Sequence, residues 1–242
     1  MNTPRNHYER LLARHYSWMF GVSFEDKAAE QAAILAEAGI HEPGVAVDLG
    51  CGSGFQAVAL AEIGAKHVYA IDTSSALLSE LSGHIGDRPI STHEADMMTF
   101  DEIVGGPVDT IVCMGDTLTH LSSKMDVENL LGTIASALTE GGRAILSWRD
   151  LSSPAEGLDR FIPVRSTDDR ILVCFLEDAI ETVIVHDLVH ERGPDGWKLQ
   201  KSAYPKLKLS PGWMTEALKD VGMACHYERT FRGMTVLAAS HL

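Results

Sequence analysis

The chain has 242 residues, of which 45% are apolar and 22% charged, and a formal net charge of −14. That is sequence enough for one large domain, with the composition of an ordinary globular protein. The acidic balance argues against a nucleic-acid partner, whose phosphates need a concentrated Lys/Arg face. No apolar run approaches the roughly 18 residues of a membrane span.

In chain order, residues 6–18 and 25–38 are read as helices. Arg5, Arg10 and Arg14 are spaced as in a transit peptide, but Glu9 and Trp18-Met19-Phe20 fit a folded helix better. From residue 44 to 148 two patterns alternate. Short β-rich runs fall at 45–48, 67–71, 108–114 and 143–148, with a weaker one at 89–93. Helical stretches lie between them, marked by Ala57, Val58, Leu60 and Ile63, then by Leu77, Leu78, Leu81 and Ile85, then by Val127, Leu130, Leu131, Ile134 and Leu138. The last helix has a capping sequence, Ser123-Lys124-Met125-Asp126, and is expected to stop at Gly141-Gly142.

Alternating strands and helices mean an α/β fold: a parallel sheet covered on both faces, with a doubly wound, Rossmann-like topology. After Asp150 the pattern changes. Residues 161–167, 170–178, 181–191 and 197–209 are strand-like with no helices between them, and Gly193-Pro194-Asp195-Gly196 is a turn. This is an antiparallel β insertion after the fifth strand. A helix at 211–221 and a strand at 234–239 close the chain. The whole is read as a single domain: N-terminal helices or lid (1–43), core (44–150), cap (151–209), and closing helix and strand (210–242).

Cys51, Cys113, Cys174 and Cys225 form no C-x-x-C pair, so they read as reduced thiols of a cytoplasmic protein, with no metal site at these spacings.

The strongest motif is Val47-Asp48-Leu49-Gly50-Cys51-Gly52-Ser53-Gly54, a buried strand entering a glycine loop and then a helix. Such a loop lets a ligand approach the backbone, and the helix start attracts an anion. Gly52-Ser53-Gly54-Phe55-Gln56-Ala57 also fits a dinucleotide pattern, with Asp72 placed to hold a ribose, so NAD competes on this loop alone. Asp48 points elsewhere: it would crowd a diphosphate and welcome an ammonium. Asp96 could accept a hydrogen bond from an exocyclic amine, with Met97 against a flat ring. An amino-acid end, a ribose and an adenine without phosphate describe S-adenosylmethionine.

These motifs, with Tyr69-Ala70-Ile71-Asp72, Ala95-Asp96-Met97, the 108–121 stretch and Gly141-Gly142-Arg143-Ala144-Ile145-Leu146, resemble the class I S-adenosylmethionine-dependent methyltransferases over roughly residues 44–148 and the closing strand. The resemblance implies a mostly parallel seven-stranded sheet, S-adenosylmethionine as cofactor and S-adenosylhomocysteine as product. It implies that Asp48, Gly50, Cys51, Gly52 and Gly54 surround the methionine end, Asp72 and Thr73 the ribose, and Asp96 and Met97 the adenine, with Met114 at the end of the fourth strand. Met114-Gly115-Asp116-Thr117-Leu118-Thr119-His120-Leu121 is similar to a segment of the glycine N-methyltransferase-like branch, which usually has Asn where this chain has Asp116.

On that reading Asp116 or His120 takes a proton from the acceptor or orients it; as plain structure, Asp116 is a turn or cap residue and His120 a capping or core histidine. Arg149 could hold an acceptor carboxylate, with Arg165 as a second choice, and Tyr204 could offer a hydroxyl from the cap. The alternatives are a surface ion pair for each arginine and ordinary packing for Tyr204. The aromatic stretch 11–20 is either a lid with Tyr16 or Trp18 near the methionine end, or an amphipathic helix packing Leu11, Leu12 and Met19. The expected function is methylation of a small molecule at nitrogen or oxygen, with the cap closing the acceptor site and offering a homodimer surface. The alternatives are a nicotinamide-dependent oxidoreductase and a non-catalytic S-adenosylmethionine-binding protein.

Overall fold

Valine, isoleucine and alanine fill β1 (Val45–Leu49), β2 (His67–Asp72), β4 (Val108–Cys113) and β5 (Leu138–Trp148), and their side chains are buried on both faces. That is what a parallel sheet between helices requires. The computed structural model describes residues 3–242. With β3 (Ile90–Glu94), β10 (Met223–Phe231) and β11 (Met234–His241), these strands form one seven-stranded sheet in the order β10-β11-β5-β4-β1-β2-β3. All neighbours are parallel except β11, which is antiparallel to both β10 and β5. The chain lays β1, β2 and β3 outward, then returns to put β4 on the other side of β1. The crevice above the β1 and β4 ends is therefore the topological switch point, where open α/β sheets bind ligands.

Helices cover the sheet. α4 (Phe55–Glu62) leaves the glycine loop, α5 (Ser75–Ile85) begins where the Ser74 hydroxyl accepts the Leu77 N–H, and the short α6 (Phe100–Val104) precedes β4. α7 (Lys124–Ala137) is capped by Ser123, whose hydroxyl accepts the Asp126 N–H at 3.1 Å and donates to the Asp126 carboxylate at 2.9 Å. This helix stops four residues before the expected Gly141-Gly142. Instead both glycines lie inside β5. Gly141 has φ +81°, and a Cβ on Gly142 would fall 2.9 Å from the Thr139 carbonyl. They make an irregularity in the β4–β5 register, which jumps from Val108↔Leu138 to Thr110↔Arg143.

The antiparallel insertion is as the sequence suggests: β6 (Phe161–Ser166), β7 (Arg170–Asp178), β8 (Thr182–Gly193) and β9 (Gly196–Leu207) pair in chain order. Gly193 pairs with Gly196 across a two-residue turn. The closing helix is α8 (Pro211–Asp220), capped by Ser210. β10 was not expected from its polar sequence. It is an edge strand, and a tight turn with Arg232 at φ 47° and Gly233 at φ 75° folds it onto β11.

The N-terminal stretch is not one regular helix. It runs as α1 (Pro4–His7), a π-helical turn (Tyr8–Leu12), a 3-10 turn (Ala13–His15) and α2 (Tyr16–Phe20), before the Ser23-capped α3 (Phe24–Glu37). A regular amphipathic helix buries one stripe. This segment lies between two bodies and buries two: Leu11 packs with Leu172 and Val189 of the insertion, while Tyr16 stacks towards Phe55 of the core. Among the described residues no helix is long and apolar enough to cross a membrane.

Candidate active site

A cavity of about 250 Å³ opens above the ends of β1, β2 and β3. Gly50, Gly52, Asp72, Asp96, His120 and Tyr8 are among its lining residues. The loop after β1 owes its path to three left-handed glycines, Gly50, Gly52 and Gly54, at φ 67°, 55° and 91°. A side chain on Gly50 would overlap the Thr117 methyl, and one on Gly54 would overlap Leu81. Gly52 lies against the Tyr16 ring. Only glycine satisfies both the torsion and the space.

Asp48, near the end of β1, is 1% exposed, and its Oδ2 has no hydrogen-bond partner among the described residues. Burial, with Asp72 nearby, pushes its pKa up to about 8, against a backbone hydrogen bond from Ala57 in the first turn of α4. A buried carboxyl with a free oxygen calls for a cation. Asp72, ending β2, accepts the Gly52 N–H on Oδ2 and the Ser74 N–H on Oδ1, each at 2.8 Å. Burial raises its pKa and those bonds oppose the rise. Each oxygen keeps a lone pair for a ligand hydroxyl. Thr73 lines the cavity beside it. Asp96, just beyond β3, spends Oδ1 on the Met98 N–H at 2.9 Å, and Met97 lies on the cavity wall next to it.

At the other end, the turn after β4 carries His120. The residue is half-buried, its Nε2 is enclosed without a hydrogen-bond partner, and desolvation, aided by Lys206, lowers its pKa to about 3. The Tyr8 and Tyr204 rings each stand edge-on to it, both at 5.6 Å. Asp116 lies below, flanked by two cations. Lys206 donates to its Oδ2 at 2.7 Å, and Arg149 lies 3.3 Å from the same oxygen and gives its backbone N–H to Oδ1 at 3.0 Å. Despite burial, these charges hold the Asp116 carboxyl well below the usual carboxylate range.

The remaining sequence-selected residues sit around this frame. Gly54, Cys51 and Asp48 form the layer behind the cavity surface; Cys51 is buried, with its thiol pKa raised by burial. Met114 is buried below the Thr117 hydroxyl, which donates to its carbonyl. Tyr16 lines the cavity, but Trp18 does not: its ring packs against the Arg165 and Arg170 guanidiniums on the insertion side. Arg165 donates to the Trp18 carbonyl, so it is neither at the cavity nor in the acidic ion pair considered above. Tyr204 is buried, stacked 4.1 Å from His7.

Two site residues escaped the sequence reading. Tyr8 is placed by the folding back of the N-terminus, which nothing local announces. Lys206 had a signal: it lies two residues from Tyr204 on one strand, hence on the same face.

The family described as a methyltransferase domain matches residues 46–142. The cypemycin N-terminal methyltransferase of a Streptomyces species is 32% identical over 176 residues, which cover 63% of this chain and 69% of that protein. The chain belongs to the S-adenosylmethionine-dependent methyltransferases. A glycine/sarcosine N-methyltransferase from Parasynechococcus marenigrum (strain WH8102) is 28% identical over 113 residues, 46% of this chain and 40% of that protein. Among solved structures, the CcbJ methyltransferase of Streptomyces caelestis superposes with a TM-score of 0.77 at 16% identity, covering 97% of each chain. The S-adenosylmethionine-bound amino pentose methyltransferase of Micromonospora echinaspora gives 0.76 at 18% identity, covering 96% of this chain and 97% of that one. These last two likenesses concern the fold.

S-adenosylmethionine is therefore the cofactor of this methyltransferase and S-adenosylhomocysteine its product. The residues present fit the group. The free oxygen of Asp48 suits an ammonium, whereas a diphosphate over a buried carboxyl would meet like charge. The nicotinamide reading of the glycine loop falls with the family assignment.

Proposed function

We propose that the enzyme methylates a nitrogen of a small acceptor that carries a carboxylate. The observation behind nitrogen is the weakness of both groups that could serve as bases. His120, with a pKa of about 3, and Asp116, held well below the usual carboxylate range by Lys206 and Arg149, are poorly matched as bases to the proton of an alcohol. An amine needs no base once it arrives with a free lone pair. Of the curated relatives named above, one is a glycine/sarcosine N-methyltransferase and the other a cypemycin N-terminal methyltransferase, which supports the same choice.

When bound, S-adenosylmethionine supplies a methyl group already activated on a sulfonium. In this proposal Asp48, with the glycine loop, holds the methionine end. Asp72 and Thr73 hold the ribose; Asp96 and Met97 hold the adenine. Tyr16 covers the loop. At the acceptor end, His120 Nε2 accepts a hydrogen bond from the amine and points its lone pair along the line of transfer. Holding reactants in line in a dry site can lower the barrier by roughly 7–11 kcal/mol at best. An acceptor nitrogen held in this way would offer its lone pair to the methyl group that the cofactor would supply.

The carboxylate belongs to the same reading. Asp116 counts one negative charge against the two positive ones of Lys206 and Arg149, leaving a positive excess. The Arg149 side chain is half exposed and keeps free N–H donors. In Arg149→Ala the KM for the acceptor is expected to rise about tenfold, allowing for solvent screening, while the KM for S-adenosylmethionine stays put. A change confined to the cofactor would remove this role.

Incubation with methyl-labelled S-adenosylmethionine and a metabolite extract, followed by mass spectrometry, tests the whole proposal. A labelled N-methyl amino acid or similar amine supports it; label on oxygen overturns it. For oligomeric state we propose a homodimer through the outer face of the insertion, where Phe161, Trp197 and Leu199 are exposed. Sedimentation is expected to show a dimer that Trp197→Glu converts to monomer.

A further inference from the structure

Lys206 is a buried cation in a part of the chain that shares no local sequence with the cofactor site. It lies near the end of β9, 8% exposed, and reaches across to the turn after β4. Its partner Asp116 is the junction of that turn. The Asp116 carbonyl accepts the Thr119 N–H at 3.0 Å and the Thr119 hydroxyl at 2.6 Å, and its Oδ1 takes the Arg149 N–H. The short helical turn Thr117–His120 starts from this residue. Three separate segments, β9, the β4 turn and the end of β5, therefore meet at one carboxylate.

We propose that Lys206 is a positioning residue of the methyl-transfer site: from the insertion it neutralises Asp116 and fixes the turn that presents His120 to the acceptor. This rests on the assignment of His120 to the acceptor end.

The physical reason is charge balance in a dry place. An unpaired buried carboxylate is costly, and removing one partner of a buried pair leaves that cost exposed. Without Lys206, Asp116 would face Arg149 alone and draw a proton onto the nearby imidazole. The groups facing His120 are Asp116 from its own turn, Tyr8 and His7 from the N-terminal segment, Asp187 from β8, and Tyr204 and Lys206 from β9, with Arg149 behind Asp116. Of these, Lys206 and His7 oppose protonation of His120, while Asp116 and Asp187 favour it. A protonated His120 could not accept a hydrogen bond from an amine. The insertion thus does more than roof the pocket: it completes the electrostatics of a turn that belongs to the core.

The test reads His120 directly and needs no acceptor. In full-length protein with 15N-labelled histidine, two-bond proton–nitrogen spectra follow each imidazole against pH, and His120→Gln identifies the signal. In the unmutated enzyme His120 is expected to stay neutral down to about pH 5. In Lys206→Met its midpoint should rise by at least about one pH unit, and Lys206→Arg should restore the original curve. Adding Asp116→Asn to Lys206→Met should bring the midpoint back down. An unchanged His120 titration in Lys206→Met overturns the proposal. Should that variant not fold, Lys206→Gln is titrated in its place with Asp116 intact: the proposal requires a higher His120 midpoint than in the unmutated enzyme, and an equal midpoint overturns it. Label found on oxygen in the extract experiment would defeat the nitrogen assignment but leave this titration result standing.

Discussion

Asp72→Ala is expected to weaken S-adenosylmethionine binding about a hundredfold. Two charge-assisted hydrogen bonds to ribose hydroxyls, at roughly 1.5 kcal/mol each, give that factor. The side chain does more than face the ligand, because it accepts the N–H of Gly52 and of Ser74 and so joins the glycine loop to the start of α5. Removing it leaves two backbone donors to find water. Thermal stability of the ligand-free protein should fall as well, and the two effects are separated by calorimetric binding well below the melting temperature. Asp72→Asn should lie between, since the amide keeps one acceptor oxygen. An affinity equal to that of the unmutated protein in Asp72→Ala would remove Asp72 from the ribose site.

The second large effect is with pH. In the ligand-free enzyme burial pushes the Asp48 pKa up to about 8, so at neutral pH this carboxyl mostly holds its proton. If the ligand ammonium binds the ionised form, binding must release that proton. Affinity should therefore climb with pH, by up to about tenfold per unit between roughly pH 6 and 7.5, below the titration of the ligand's own α-amine. Calorimetry in buffers of different ionisation enthalpy should count close to one proton released at pH 6. In Asp48→Asn the slope should vanish, and a slope that survives there assigns the proton elsewhere.

The sign for folding is opposite. A raised folded pKa means that the stability from Asp48 is present below the unfolded value near 4 and is lost as pH rises through about 8. His120 works the other way: its lowered pKa contributes stability above its unfolded value, lost as pH falls towards 3. Between pH 6 and 8 the Asp48 contribution dominates this pair, so the ligand-free enzyme should melt lower at pH 8 while the complex should not follow it.

How legible all this was depends on the range of the forces concerned. The strands β1, β2, β4 and β5 declare themselves because both faces are buried, and a short run of Val, Ile and Ala has few other uses. The glycine loop declares itself because three left-handed torsions in five residues exclude other side chains. β10 did not, since an edge strand needs no apolar pattern and takes its pairing from β11. Gly141 and Gly142 looked like a helix stop, and only pairing of β5 with β4 makes them a strand irregularity. Trp18 shares its aromatic stretch with Tyr16, yet the two rings leave in different directions because the segment is gripped from two sides.

By itself the sequence determined the doubly wound core, the inserted antiparallel sheet and the cofactor class, for these rest on local periodicity, torsional demand and motif spacing. Tertiary structure alone decided the acceptor end: which side chains close over it, and that the Asp116 charge is cancelled by a lysine 90 residues later in the chain. Electrostatic energy in a buried site depends on distance through space and on the exclusion of water, and neither is written along the chain until it has folded.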